Sequence, residues 1–160
     1  MTARRRIPLI TGLVLTGALA LYGTAAGDPI GLTGLFNARG TIQPFHIHDH
    51  ASHLHLKAGA PVDVAIVGAQ LDPAGQTGWH THPADSIVSV QPNSAALTMV
   101  TREHRRCVTR TYQPGQAFVH PAGPHNFRND TGSTLRFGVA YFVPVGATLL
   151  TTAPAPKACA

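Results

Sequence analysis

Glycine and proline interrupt this chain so often that it reads as turn-rich: 16 Gly and 13 Pro fall among 160 residues. Each tends to end regular structure or to mark a turn. Between the breaks lie short runs rich in Val, Ile, Leu, Thr and aromatics, at 61–71, 85–91, 95–101 and 134–143. Their length and composition predict strands separated by turns, and no heptad or extended amphipathic helix accompanies them. The length is that of one ordinary domain, so the strands must close into a sandwich or a small barrel whose interior is packed or holds a pocket. Residues 29–41, with several glycines, read as an irregular approach to that domain. The closing TTAPAPKA reads as a tail, since its two prolines oppose another central strand.

The first 26 residues carry an Arg4–Arg6 triplet, an almost uncharged apolar stretch and a small-residue end at Thr24-Ala25-Ala26, the three parts of a secretory signal. Cleavage after Ala26 is expected, giving a secreted or extracytoplasmic protein with no stable membrane insertion after cleavage. The apolar part is short for a bilayer span, and an uncleaved anchor is the alternative. Loss of the triplet lowers the formal charge from +5 to +2, by leaving nine basic residues against seven acidic ones. Arg102, Arg105 and Arg106 then read as a solvated loop with no interleaved aromatics, and no nucleic-acid partner is expected. Export also exposes the two cysteines, Cys107 and Cys159, to oxidising conditions. A bridge between them would pin the Pro-rich tail to the domain; two reduced thiols are the alternative. Neither lies in a C-x-x-C pair, which argues against redox catalysis or a thiolate zinc site.

The strongest chemical feature is His80-Thr81-His82 within GQTGWHTHPAD. Residues two apart on an extended strand share a face, so both imidazoles can approach one ion. His125, in QAFVHPAGPHNF, is the leading third ligand if an antiparallel neighbour brings it across. Alone, such a pair is also compatible with a packed or surface pair of histidines.

Residues 75–93 and 115–129 resemble the two signature segments of the cupin superfamily, small β-barrels of the double-stranded β-helix, or jelly-roll, type that commonly hold a divalent metal. His80 and His82 match the paired histidine ligands, and Asn93 falls where that family has a turn glycine. Gly115, Pro121, Gly123, His125 and Asn129 match the second segment, although the turn before His125 is one residue shorter. Ser86 stands where the family usually supplies a glutamate ligand. The chain more closely resembles small secreted cupin-like proteins with a GWHTHP segment, a cysteine between the motifs and another near the end. The resemblance implies an all-β jelly-roll barrel over 54–146, preceded by an N-terminal extension and His-rich edge at 27–53 and followed by a tail at 147–160. It also implies a divalent transition metal on His80, His82 and His125, of a kind that the ligands alone do not identify.

Ser86 keeps the strand register of the missing carboxylate without its charge, which weakens any carry-over of oxalate-type or three-His-one-Glu oxygenase chemistry. Asp85 would need a bulge to take that place and reads as a surface or hydrogen-bonding residue. His120, just before the Pro-x-Gly turn, reads as an ordinary solvent-facing histidine, with a pocket wall, a base behind the ligands or an additional ligand as alternatives. His46, His48 and His50 alternate through HIHDH, with His53 and His55 beyond. They read as a solvated His-rich edge, with a peripheral metal site as the sharper alternative. No residue is assigned a catalytic role. The leading function is a secreted metal-binding protein of unspecified activity. The alternatives are a metal-dependent oxygenase or other small-molecule enzyme, and a non-catalytic binding or structural domain without metal. A small-molecule ligand and a homodimer are the partner readings left open.

Overall fold

The computed structural model describes residues 27–160, which form twelve strands and no helix. The expected signal segment at 1–26 lies outside the described residues. In chain order the strands are β1 (Ile30–Ile42), β2 (Phe45–Asp49), β3 (Leu54–Ala58), β4 (Val62–Gln76), β5 (His80–Thr81) and β6 (Ser86–Val90). There follow β7 (Leu97–Glu103), β8 (Arg106–Tyr112), β9 (Ala117–His120), β10 (His125–Arg128), β11 (Leu135–Pro144) and β12 (Thr151–Thr152). Ten of them make one antiparallel sheet that curls into a nearly closed barrel, the all-β jelly-roll arrangement expected, while β2 and β3 pair only with each other.

Strand alternation builds the interior. On β11 the side chains of Leu135, Phe137, Val139, Tyr141 and Val143 are buried while those between them are more open, and β6 buries Ser86, Val88 and Val90 in the same way. Their register sets Val139 beside Val88 and Tyr141 beside Ser86. Across the next ladder Val88 meets Phe118 and Ser86 meets His120. The inward rows therefore run from apolar (Val139, Val88, Phe118) to polar (Tyr141, Ser86, His120) over one strand repeat. Below the polar row, Leu71, Leu97, Met99, Phe127 and Leu135 fill the core. Each such side chain contributes roughly 1.5–3 kcal/mol by leaving water.

The expectation of an irregular approach at 29–41 is overturned: this stretch is β1, antiparallel to β4 along its length. Its glycines sit on an exposed strand where no side chain is needed for packing, and at Gly68 of β4 the cross-strand ring of Phe36 fills the missing volume. A Cβ at Gly68 would come within 2.2 Å of that ring. β4 also runs past the expected end at residue 71, through Pro73, by way of a register shift and a left-handed Ala74 (φ 59°). The expected division at residue 54 falls inside the β2–β3 hairpin. Within the tail, β12 pairs with β5 before Pro154 and Pro156 end the extended run.

Candidate metal centre

Three imidazoles meet at the polar end of the barrel. β10 places His125 opposite His80 on β5, and His82, two residues beyond His80, returns to the same side. All three are buried, and one ligand atom from each lies within 4.8 Å of the others. Ring centres are 4.1 Å apart for His80–His125, 4.9 Å for His80–His82 and 5.0 Å for His82–His125. One ion held by nitrogens at ~2.0–2.1 Å would set such centres about 4.5–5.2 Å apart, for angles between right and tetrahedral. The set is therefore close to the geometry of a shared ion without repacking.

Backbone carbonyls orient each ring. His80 Nδ1 donates to Gly78 O at 2.9 Å, His125 Nδ1 to Gly123 O at 2.9 Å and His82 Nδ1 to Leu149 O at 2.6 Å. A carbonyl can only accept, so each Nδ1 carries the proton and each Nε2 keeps a free lone pair, the tautomer a metal requires. His125 Nε2 is buried with no hydrogen-bond partner. An orphaned acceptor at the centre of three converging imidazoles fits a cation. Gly78 can serve this role only as glycine: its φ is +71°, and a Cβ there would lie 2.0 Å from Gly27 O.

Burial keeps the cluster neutral. It pushes His80 down to about 4, lowers His82, and holds His125 far below the usual imidazole value, with the neighbouring His80 and His120 adding to the effect. Neutral imidazoles are the ligating form at physiological pH.

Ser86 and His120 flank the three. The reading of His120 as a solvent-facing turn residue is overturned: it is 1% exposed. Its ring centre lies 3.7 Å from that of His125 and 5.9 Å from that of His82. Burial pushes it down to about 4, with His82 and His80 adding to the shift. The signal was present in the alternation of Phe118 and His120 two residues apart, which makes His120 inward if Phe118 is. Ser86 Oγ and His120 Nδ1 are both buried without a partner. Asp85 does not replace the missing carboxylate; its Oδ1 accepts the Ala122 N–H at 3.0 Å and ties the first motif to the turn of the second. His46, His48, His50, His53 and His55 lie on the hairpin or its turn and do not join the buried group.

A cavity of about 160 Å³ reaches His80 and His82. Its walls are apolar, including Val67, Phe137, Val139 and Tyr141, and no Lys, Arg, Asp or Glu lines it. Burial raises the Tyr141 phenol, whose ring centre is 5.0 Å from that of His82. Leu32 of β1 and Leu150 also line the cavity, so segments read from sequence as extension and tail complete its wall. The tail does more. Leu149 O holds His82, Thr151 and Thr152 pair with Thr81 and His80, and Ala153 N–H donates to Trp79 O at 2.9 Å. Cys159 lies at bonding distance from Cys107 (S–S 2.02 Å), which fastens this strap to the β7–β8 hairpin.

No protein-family model and no curated protein matches the chain. Similar solved structures include a cupin domain from Bordetella pertussis, 21% identical with a TM-score of 0.45 over 75% of this chain and 98% of that one. An oxalate oxidase in complex with glycolate is 23% identical with a TM-score of 0.44, over 51% of this chain and 42% of that one. A variant of Bacillus subtilis oxalate decarboxylase is 20% identical with a TM-score of 0.49, over 56% of this chain and 23% of that one. The chain thus spans less than half the length of either oxalate enzyme.

Proposed function

We propose that this is an extracytoplasmic metal-binding protein that holds one divalent transition ion on His80, His82 and His125 and presents it to a small, weakly charged molecule in the adjoining cavity. The observation that carries this reading is the set of three Nδ1–carbonyl hydrogen bonds, which leaves Nε2 as the free ligand nitrogen on three buried histidines whose ligand atoms lie within 4.8 Å of one another. A bound ion would supply Lewis acidity and coordination positions for water or ligand. The chain itself does the rest. Val67, Phe137 and Val139 exclude water from the cavity that Tyr141 also lines, and Ser86 and His120, beside Tyr141 in the polar row, hold an unpartnered Oγ and Nδ1 behind it. His120 is a neutral imidazole at neutral pH, better suited to hydrogen-bond a ligand than to act as a strong base.

No Lys or Arg lines the cavity, so a bound ion would be the one positive charge a ligand meets there, and the apolar wall favours a small molecule with a single polar group turned to the ion. Ser86 sets the site apart in a different way, because without the carboxylate that the resemblance would supply the three neutral histidines leave the full charge of a bound ion for its ligand. Titration of metal-free protein with Zn²⁺, Mn²⁺ and Co²⁺ tests the reading. One tight equivalent of at least one ion is expected at the buried site. Alanine at His80, His82 or His125 should weaken it by about 100-fold or more. Unchanged binding in folded variants would sink the assignment.

A further inference from the structure

The His-rich segment forms a hairpin apart from the ten-stranded sheet, with β2 and β3 as its only strands. Directly opposed residues of an antiparallel pair share a face. The register sets His46 opposite Lys57 and His48 opposite His55, so three imidazoles stand on one face. Phe45, Ile47, Leu54 and Leu56 occupy the other. His50, the first turn residue, turns its ring back over His48. The ring centres are 4.3 Å apart for His48–His50 and 3.8 Å for His48–His55, and that of His46 is 6.3 Å from both His48 and His55. All four side chains are exposed.

The one nearby carboxylate is committed elsewhere. Asp49 Oδ1 accepts the Ala51 N–H and Oδ2 the Ser52 hydroxyl, each at 2.9 Å, which holds the turn that presents His50. What remains is four imidazoles with no thiolate or carboxylate among them, a donor set that suits borderline ions and excludes Ca²⁺ and Mg²⁺. We propose that this face is a second, solvent-exposed transition-ion site, with His48 and His55 as its central pair and His50 and His46 completing it, and that Cu²⁺ is its preferred divalent ion. The observed spacings lie below (3.8 and 4.3 Å) or above (6.3 Å) the ~4.5–5.2 Å expected for imidazoles on one ion, so binding requires rotation of these exposed side chains, which solvent exposure permits. For a flexible nitrogen set that does not impose a geometry, affinity follows the intrinsic order that peaks at Cu²⁺. Exposure makes the ion quick to exchange, in contrast to one enclosed by the barrel.

Cu²⁺ titration of the protein, followed by calorimetry and electron paramagnetic resonance, tests this independently of the buried site. Four proteins are compared: the wild type, His48→Ala/His55→Ala, His55→Gln and His80→Ala/His125→Ala. The hairpin pair should remove one Cu²⁺ equivalent, or weaken it at least about tenfold, and abolish its multi-nitrogen hyperfine pattern. The barrel pair should leave that equivalent in place, whether or not the buried site itself binds metal. His55→Gln, which keeps the size of the side chain, should reproduce most of the loss. Unchanged Cu²⁺ stoichiometry and spectrum in the hairpin variants, with circular dichroism showing an intact fold, would overturn the proposal.

Discussion

The carbonyl oxygens of Gly78, Gly123 and Leu149 decide which nitrogen each ligand imidazole presents. At Gly78 the constraint is sharpest, because any side chain meets the backbone of Gly27 and the positive φ is strained for an L-residue. Gly78→Ala should destabilise the fold by about 1–3 kcal/mol in urea unfolding and weaken metal binding with it. A variant as stable as wild type would contradict the role given to that turn. The neutral cluster also predicts a pH response. His80 and His120 sit near 4 in the folded protein, whereas unfolded histidines titrate near ~6.5. The unfolded chain therefore takes up protons first as pH falls, so metal-free protein should be fully stabilised above ~6.5 and lose stability from there toward ~4. Thermal melts across that window check it, and a flat profile would contradict it. The two-residue spacing of His80 and His82, together with the resemblance of two separate segments, pointed to His80, His82 and His125. The burial of His120 was legible only through its alternation with Phe118, and which face Phe118 takes is set by pairing with β6.

At the scale of elements, the C-terminal strap is the part most easily misread from sequence. Its prolines at 154 and 156 mark a tail, yet residues 149–153 sit just before them and supply the carbonyl for His82 and the edge pairing for β5. Local pattern carries no signal for such contacts, since a two-residue strand has no periodicity and a carbonyl acceptor has no residue preference. β1 was hidden for a related reason. An exposed strand needs no apolar alternation, and its pairing with β4 joins residues far apart in sequence. The Cys107–Cys159 pair closes a separation of 52 residues, for which chain entropy gives about 4 kcal/mol. Cys107→Ser/Cys159→Ser should lower stability by up to that amount. It should also weaken metal binding about tenfold, as the strap loosens around His82. Competition against a chromophoric chelator reads the second effect. Loss of stability with metal affinity unchanged would detach the strap from the site.

For the whole molecule, strand composition and turn residues made the all-β class legible, because β4, β6, β7 and β11 each keep a buried alternation or an apolar run that a half-buried strand imposes, while the choice of a barrel over a sandwich came from the resemblance. The two histidine segments lie 43 residues apart from His82 to His125, and closure of the barrel brings them to one end. The chemistry of the ligand was less legible, since the cavity wall is assembled from β1, β4, β5, β10, β11 and the strap, and no single segment announces its polarity. The central claim is that the barrel holds one ion on three histidines. Elemental analysis of protein purified without an affinity metal, after a brief chelator wash that strips exposed sites, addresses it most directly. The account predicts close to one transition ion per chain in the wild type and almost none after His80→Ala, His82→Ala or His125→Ala; folded wild type that neither carries nor takes up any transition ion would contradict it.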